Sequence, residues 1–269
     1  MHPPSGSAMA ERRFSHDVRL PLVVAHRGAS TEKPENTLAA FEAAVGAGAD
    51  AVEFDVRMSR DGHAVVMHDA SVDRTTDAHG LVRDLTLREL KRCTTRSSGR
   101  PGEIPTLAEA LALLSGRAAV DVEIKNLPGD PDHDPDREPG VEATLRALDE
   151  TSFVGAVLIS SFSPRSIARA LELDAGVPTG LLALEAMPAD DAIALARDAG
   201  HEWVLPAAAA VLREGEPLVA LAHGAGLRVG TWIVDDPGTA VRLASWGLDA
   251  LATNDPRAIV PAVRRPSPR

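Results

Sequence analysis

Short β-branched runs alternate along this chain with Ala- and Leu-rich stretches whose apolar residues recur every three or four positions. The runs have strand length and the stretches have helical period, so the pattern predicts repeated strand–helix units. Strands are expected to start near Leu22, Ala51, Ala118, Ala156, Pro178, Trp203, Arg228 and Asp249. Helical spacing follows, as in Leu38, Phe41 and Val45, or in Leu107, Ala110, Leu111 and Leu114 behind a Thr106–Glu109 capping box. Eight units with short crossovers imply parallel strands and right-handed connections, which fits a (β/α)8 TIM barrel. An open doubly wound sheet has the same rhythm, but the G-x-G-x-x-G or Walker patterns that usually accompany one are absent.

One unit is irregular. From about residue 58 to 105 the chain holds an S-R-D-G turn, a short strand at Ala64–Met67 and a short capped helix at Thr86–Leu90 before the next long helix. This reads as an insertion after the second strand, too short to bury its own core. Residues 1–19 read as a flexible arm, 20–263 as one barrel domain and 264–269 as a frayed tail. The Pro/Asp-rich segment Leu127–Gly140 reads as a loop, its charge run from Asp132 to Glu138 as a solvated one.

Within the second strand, alternation puts Val52, Phe54 and Val56 on one face and Glu53 and Asp55 on the other. Two carboxylates turned into a fold interior are costly unless a cation or several donors lie between them. In a barrel, ligands bind at the C-terminal strand ends, and the polar residues collect there. His26 and Arg27 end the first strand, and His68 and Asp69 end the short strand of the insertion. The third carries Asp121, Glu123 and Lys125 on one face, and Trp232 lies on the seventh.

Composition narrows the chemistry. A net charge of -11 argues against a nucleic-acid or anionic-membrane surface, which needs clustered Lys and Arg. The single cysteine, Cys93, excludes an internal disulfide and a thiolate metal site. No apolar run reaches the length of a membrane helix, and a reducing cytoplasm is the expected setting. Glu53, Asp55 and Glu123 instead suit a hard cation such as Mg2+ or Ca2+. Arg27 and Lys125 suit phosphate oxygens, and His26 and His68 can exchange protons near neutral pH. Together these describe hydrolysis of a phosphate ester.

The ordered motifs H-R-G-A-S, P-E-N-T, E-F-D-V, H-D-A-S-V-D-R-T-T, D-L-T-L-R-E-L, I-P-T-L-A-E-A-L and V-E-I-K resemble those of the glycerophosphodiester phosphodiesterase family over residues 22–257. The resemblance implies a (β/α)8 barrel with a small insertion after the second strand. It also implies a divalent cation at Glu53, Asp55 and Glu123, an acid–base pair of His26 and His68, phosphate held by Arg27 and Lys125, and glycerol packed on Trp232. The implied reaction releases sn-glycerol 3-phosphate and an alcohol from a small glycerophosphodiester. The seventh-strand motif departs from the family, with W-I-V-D-D placing Asp235 where an Asn is frequent.

Other residues read more plainly. Glu35 and Asn36 lead into the first helix, with Asn36 its candidate cap. Ser160, Ser161, Asn254 and Asp255 are taken as structural, Cys93 as an ordinary cysteine of the insertion, and His2, His16, His63, His79, His133, His201 and His223 as surface or loop residues. Two rival readings remain. One is a phospholipase D of the related barrel type acting on lysophospholipids or sphingomyelin, against which stands the lack of an apolar loop patch. The other is a barrel that binds phosphodiesters without turnover.

Overall fold

The computed structural model describes residues 21–96, 102–134 and 136–264. The expected arm at 1–19 and the tail beyond Arg264 lie outside the described residues. Eight parallel strands form the barrel: β1 (Leu22–His26), β2 (Ala51–Met58), β4 (Ala119–Ile124), β5 (Val157–Ser161), β6 (Thr179–Ala183), β7 (Trp203–Pro206), β8 (Arg228–Thr231) and β9 (Ala250–Thr253). They pair in the order β1-β9-β8-β7-β6-β5-β4-β2, and pairing of β1 with β2 closes the ring. Each lies within a residue or so of its expected start, because a β-branched run buried on both faces has no competing helical period.

Helices follow the strands. The first, α1 (Leu38–Gly46), starts behind Thr37. The short α2 (Leu87–Leu90) lies in the insertion, and α3 (Leu107–Leu114) starts at Thr106, whose capping box with Glu109 is formed on both sides. Further round come α4 (Pro139–Glu150), α5 (Pro164–Leu173), α6 (Ala189–Asp198), α7 (Ala208–Glu214), α8 (Glu216–Gly224) and α9 (Pro237–Ser245), and α10 (Pro256–Arg264) closes the described chain. The guanidinium of Arg264 pairs with Asp50 and so ties that last helix to the start of β2.

The alternation in β2 positions the site. Val52, Phe54 and Val56 pack outward against α1 and α3, with the Phe54 and Phe41 rings 5.4 Å apart. Glu53 and Asp55 therefore face inward. Below them, Val24, Ala51, Leu158, Trp203, Leu205 and Ala250 fill the barrel interior. Register then aligns the polar groups, since Glu53 lies beside Asp121, Asp55 beside Glu123, and His26 beside Glu53.

The insertion is an extension of the barrel. Its strand β3 (Ala64–Val66) pairs antiparallel with β2, placing Val66 opposite Val56. Contrary to the sequence expectation, it does bury a small core: Val65, Met67, Val72, Val82, Leu90, Cys93 and Ile104. Pairing to β2 supplies a ready platform, so few residues suffice. Among the described residues, no helix is long and apolar enough to cross a membrane.

Candidate active site

Seven of the eight predicted site residues line one cavity of about 540 Å³ at the C-terminal end of the barrel: His26, Arg27, Glu53, His68, Glu123, Lys125 and Trp232. The eighth, Asp55, is fully buried behind them. Oxygens of Glu53, Asp55 and Glu123 lie within 4.8 Å of one another.

Local backbone geometry builds the first corner. Arg27 takes a left-handed conformation (φ 55°), and Gly28 continues the turn at φ 82°. That turn lets the Arg27 N–H donate to Glu53 Oε2 at 2.9 Å. The Arg27 side chain lies 3.4 Å from Asp55 Oδ2 and donates to Glu35 Oε1 at 2.9 Å. Asn36 is not the helix cap that its position suggested. Thr37 caps α1, while Asn36 turns inward and donates to Asp55 Oδ2 at 2.7 Å. A left-handed backbone (φ 59°) makes that inward turn possible.

Lys125 follows β4 and reaches back between carboxylates, 2.9 Å from Asp55 Oδ1 and paired also with Glu123. These charges are poorly compensated. Burial, then Asp55 and Glu123, pushes Glu53 well above the carboxylate range. Burial likewise pushes Glu123 up to about 7. Asp55 goes the other way, because Lys125 and Arg27 outweigh the burial that would raise it. Glu53 Oε1 is buried with no hydrogen-bond partner. An orphaned carboxylate oxygen facing two further carboxylates fits a hard divalent cation, so this donor set suits the expected metal.

Each histidine is fixed through Nδ1. His26 Nδ1 lies 2.8 Å from Asn254 Oδ1, and its Nε2 lies 3.9 Å from Glu53 Oε2. His68 Nδ1 lies 2.6 Å from Asp69 Oδ1. Burial, with Arg27 adding, lowers His26 to about 4. Burial lowers His68 as well, with Asp55 opposing. With Nδ1 tied in this way, each ring offers Nε2 as the nitrogen at which a proton can be taken up or passed on.

Several links between these groups were not legible in the sequence. Arg74 binds Asp69 through Nε (2.6 Å) and Glu35 through both terminal nitrogens (2.9 and 2.7 Å), joining the His68 corner to the Arg27 corner. Arg57 is buried and donates to the His68 carbonyl at 2.8 Å, to Asp132 at 2.7 Å and to Asp130 at 2.7 Å. The charge run is therefore not wholly solvated: its start is clamped to β2, and Glu138 at its end is buried against Ser166. Ser160 donates to the half-buried Asp121 carboxylate at 2.6 Å. Asp235 accepts from the Asn254 backbone and side chain at 2.7 and 2.8 Å. A lone Arg or Asp carries no sequence signal for partners 70 residues away.

Other expectations fell differently. His201, read as a surface residue, is buried against Thr179 at 2.9 Å. His223 pairs with Asp249, and His133 with Asn126. His2 and His16 lie outside the described residues. The mouth of the cavity also has the apolar patch taken as missing, formed by Leu127, Pro128, Phe162, Leu184 and Ile233, with Leu184 60% exposed. Spread over separate βα loops, these residues form no run in the sequence. Trp232 stands beside them, edge-on to Phe162 at 5.3 Å, with its indole N–H donated to the Leu205 carbonyl.

Fold and site together define a (β/α)8 barrel with carboxylate, imidazole and cationic groups converging at its open end. The family model for the glycerophosphoryl diester phosphodiesterase family matches residues 26–258. A glycerophosphodiester phosphodiesterase of Caldanaerobacter subterraneus is 35% identical over 250 residues, covering 91% of this chain and 98% of that protein. One from Bacillus subtilis is 32% identical over 254 residues, covering 87% and 84%. Among solved structures, an Oleispira antarctica phosphodiesterase in complex with the product sn-glycerol 3-phosphate superposes with a TM-score of 0.81 at 28% identity, covering 91% of this chain and 98% of that one. This chain belongs to the glycerophosphoryl diester phosphodiesterase family of hydrolases.

Proposed function

We propose that this enzyme hydrolyses small glycerophosphodiesters to sn-glycerol 3-phosphate and an alcohol, with a divalent cation, Mg2+ or Ca2+, held by Glu53, Asp55 and Glu123. The observation that carries the reading is the convergence of those three carboxylates within 4.8 Å of one another, beside Arg27 and Lys125. The Oleispira relative with bound sn-glycerol 3-phosphate supports the product.

When bound, the cation would neutralise charge developing on the phosphoryl oxygens. Arg27 and Lys125 hold further oxygens of the phosphate and orient the scissile bond. One histidine, its Nε2 unprotonated, accepts the proton of the attacking hydroxyl. The other, protonated at Nε2, delivers a proton to the departing alkoxide as its P–O bond breaks. Asn254 and Asp69 hold the two rings so that Nε2 is the nitrogen offered. The Trp232 ring lines the cavity where it can pack on the glycerol carbons.

The test is release of glycerol 3-phosphate from glycerophosphocholine by chelator-stripped protein given Mg2+, Ca2+ or Mn2+. Release restored by metal supports the reading; no release from folded protein with any of them discards it.

The apolar mouth favours a second substrate class, lysophospholipids, whose acyl chain Leu127, Pro128, Phe162, Leu184 and Ile233 could receive. Choline release from lysophosphatidylcholine micelles, but none from soluble glycerophosphocholine, would move the reading there.

A further inference from the structure

Asp235 lies outside the cavity, yet three hydrogen bonds converge on it from one short segment. Its Oδ1 accepts from the Thr253 hydroxyl at 2.9 Å and from the Asn254 N–H at 2.7 Å. Its Oδ2 accepts from Asn254 Nδ2 at 2.8 Å. A carboxylate only accepts, whereas an Asn amide offers two donors on one side and an acceptor on the other. Asp235 therefore dictates which end of the Asn254 amide faces it. With the NH2 end turned to Asp235, the carbonyl end faces His26 Nδ1 at 2.8 Å, and the Ser30 hydroxyl lies 3.0 Å from the same oxygen. A carbonyl there requires Nδ1 to carry the proton, which leaves the lone pair of neutral His26 on Nε2, the nitrogen nearest Glu53.

We propose that Asp235 is a positioning residue that sets the tautomer of His26 through Asn254. The relay runs from a carboxylate to an amide to an imidazole, and each member has one permitted orientation. The inference rests on the proton-transfer role assigned to His26 above, but the tautomer itself can be read without turnover.

The substitution Asp235→Asn keeps the shape and reverses the polarity. Its Oδ1 can still accept from Thr253 and the Asn254 N–H, which turns its NH2 group toward the NH2 of Asn254. Relief comes from flipping the Asn254 amide, which then presents NH2 to His26 and selects the tautomer with the lone pair on Nδ1. Combining it with Asn254→Asp restores an acceptor beside His26 and a donor–acceptor match within the pair.

The experiment is 15N NMR of His26 at pH 7.5 in the parent, Asp235→Asn and the double variant, with kcat and KM for each. We expect the proton to move from Nδ1 to Nε2 in Asp235→Asn, kcat to fall at least tenfold with KM within about twofold, and the double variant to regain the parent tautomer and most of kcat. An unchanged His26 tautomer in Asp235→Asn overturns the proposal, whatever happens to kcat. A shifted tautomer with normal kcat overturns its catalytic part and counts against the role given to His26. If no variant or parent hydrolyses glycerophosphocholine, the proposed function fails while the NMR arm still decides the relay.

Discussion

Lys125 Nζ lies 2.9 Å from Asp55 Oδ1, and both side chains are almost fully buried. The same ammonium pairs with Glu123, so a group suited to holding phosphate also serves as counter-ion to the carboxylate cluster. Burial would lower Lys125, but Asp55 and Glu123 raise it, so it stays charged. Removing one partner of a buried pair leaves the other uncompensated, which costs roughly 3–5 kcal/mol. Lys125→Met should therefore lower stability by about that much in chelated buffer, and Mg2+ should recover more for the variant than for the parent. Urea unfolding with and without Mg2+ checks this; equal recovery in both proteins would show that Lys125 and the cation do not share the cluster.

The pH dependence of stability follows from Glu123. Burial pushes its carboxyl from 4.5 up to about 7, so across that interval the folded protein binds more protons than the unfolded chain. The stabilisation is complete below pH 4.5 and disappears as pH rises through 7. His26 has the opposite sign: with its pKa lowered from 6.5 to about 4, it costs stability as pH falls through that window and contributes nothing above it. Above the ordinary histidine value of 6.5 the opposing contribution of His26, His68 and His201 fades, and the raised carboxyls of Glu53, Asp121 and Glu123 increasingly set the slope. Metal-free protein should thus lose thermal stability between about pH 6.5 and 8, and added Mg2+ should stabilise it more at the alkaline end, where protons no longer compete. Glu123→Gln should flatten the slope and weaken the Mg2+ response. A parent Tm that rises with pH in chelator would sink the argument.

The fold and the site were legible to different depths. The barrel was readable because each strand is a short, mostly apolar run and each helix keeps its own period, so eight local signals agree. The inward set of Glu53, Asp55, Glu123 and Lys125 followed from two-residue alternation in β2 and β4. What could not be read is whatever depends on pairing across the ring. Asn36 beside Asp55, Asn254 beside His26 and Arg74 between Glu35 and Asp69 each join groups from different loops. The Thr37 cap was missed for a simpler reason: Asn and Thr are both good caps, and tertiary demand for an amide at Asp55 decided between them.

Gly28 is the tightest point of the His26–Arg27 turn. Its φ is +82°, and a Cβ there would lie 2.7 Å from the Ala40 carbonyl carbon and 2.7 Å from Ala40 Cβ. A left-handed non-Gly residue costs about 1–2 kcal/mol, and overpacking against helix backbone adds about 1–3. Gly28→Ala should destabilise by roughly 2–5 kcal/mol and, by shifting the turn, pull the Arg27 N–H off Glu53. Chemical denaturation gives the first quantity and kcat with glycerophosphocholine the second. Parent-like values for both would mean that α1 yields more easily than its packing implies.

Arg57 shows how a residue outside the cavity can shape it. Its guanidinium, 4% exposed, spends every nitrogen on a neighbour: Nε on the His68 carbonyl, one terminal nitrogen on Asp132 and the other on Asp130. One side chain thus joins β2, the strand end that carries His68, and the loop that brings Leu127 and Pro128 to the cavity mouth. Arg57→Met keeps the apolar stem and removes all of these bonds. Asp130 and Asp132 retain access to water, at 29% and 11% exposed, so they can hydrate and the loss falls well short of a fully buried pair. A decrease of roughly 2 kcal/mol is expected, the scale of one or two charge-assisted hydrogen bonds. The kinetic consequence should exceed that figure's modest size, because His68 and the mouth loop lose their common anchor. We expect kcat to fall several-fold and KM for an acyl-bearing substrate to rise more than KM for glycerophosphocholine. Steady-state kinetics on both substrates checks this, and equal changes in the two KM values would separate the loop from alcohol recognition.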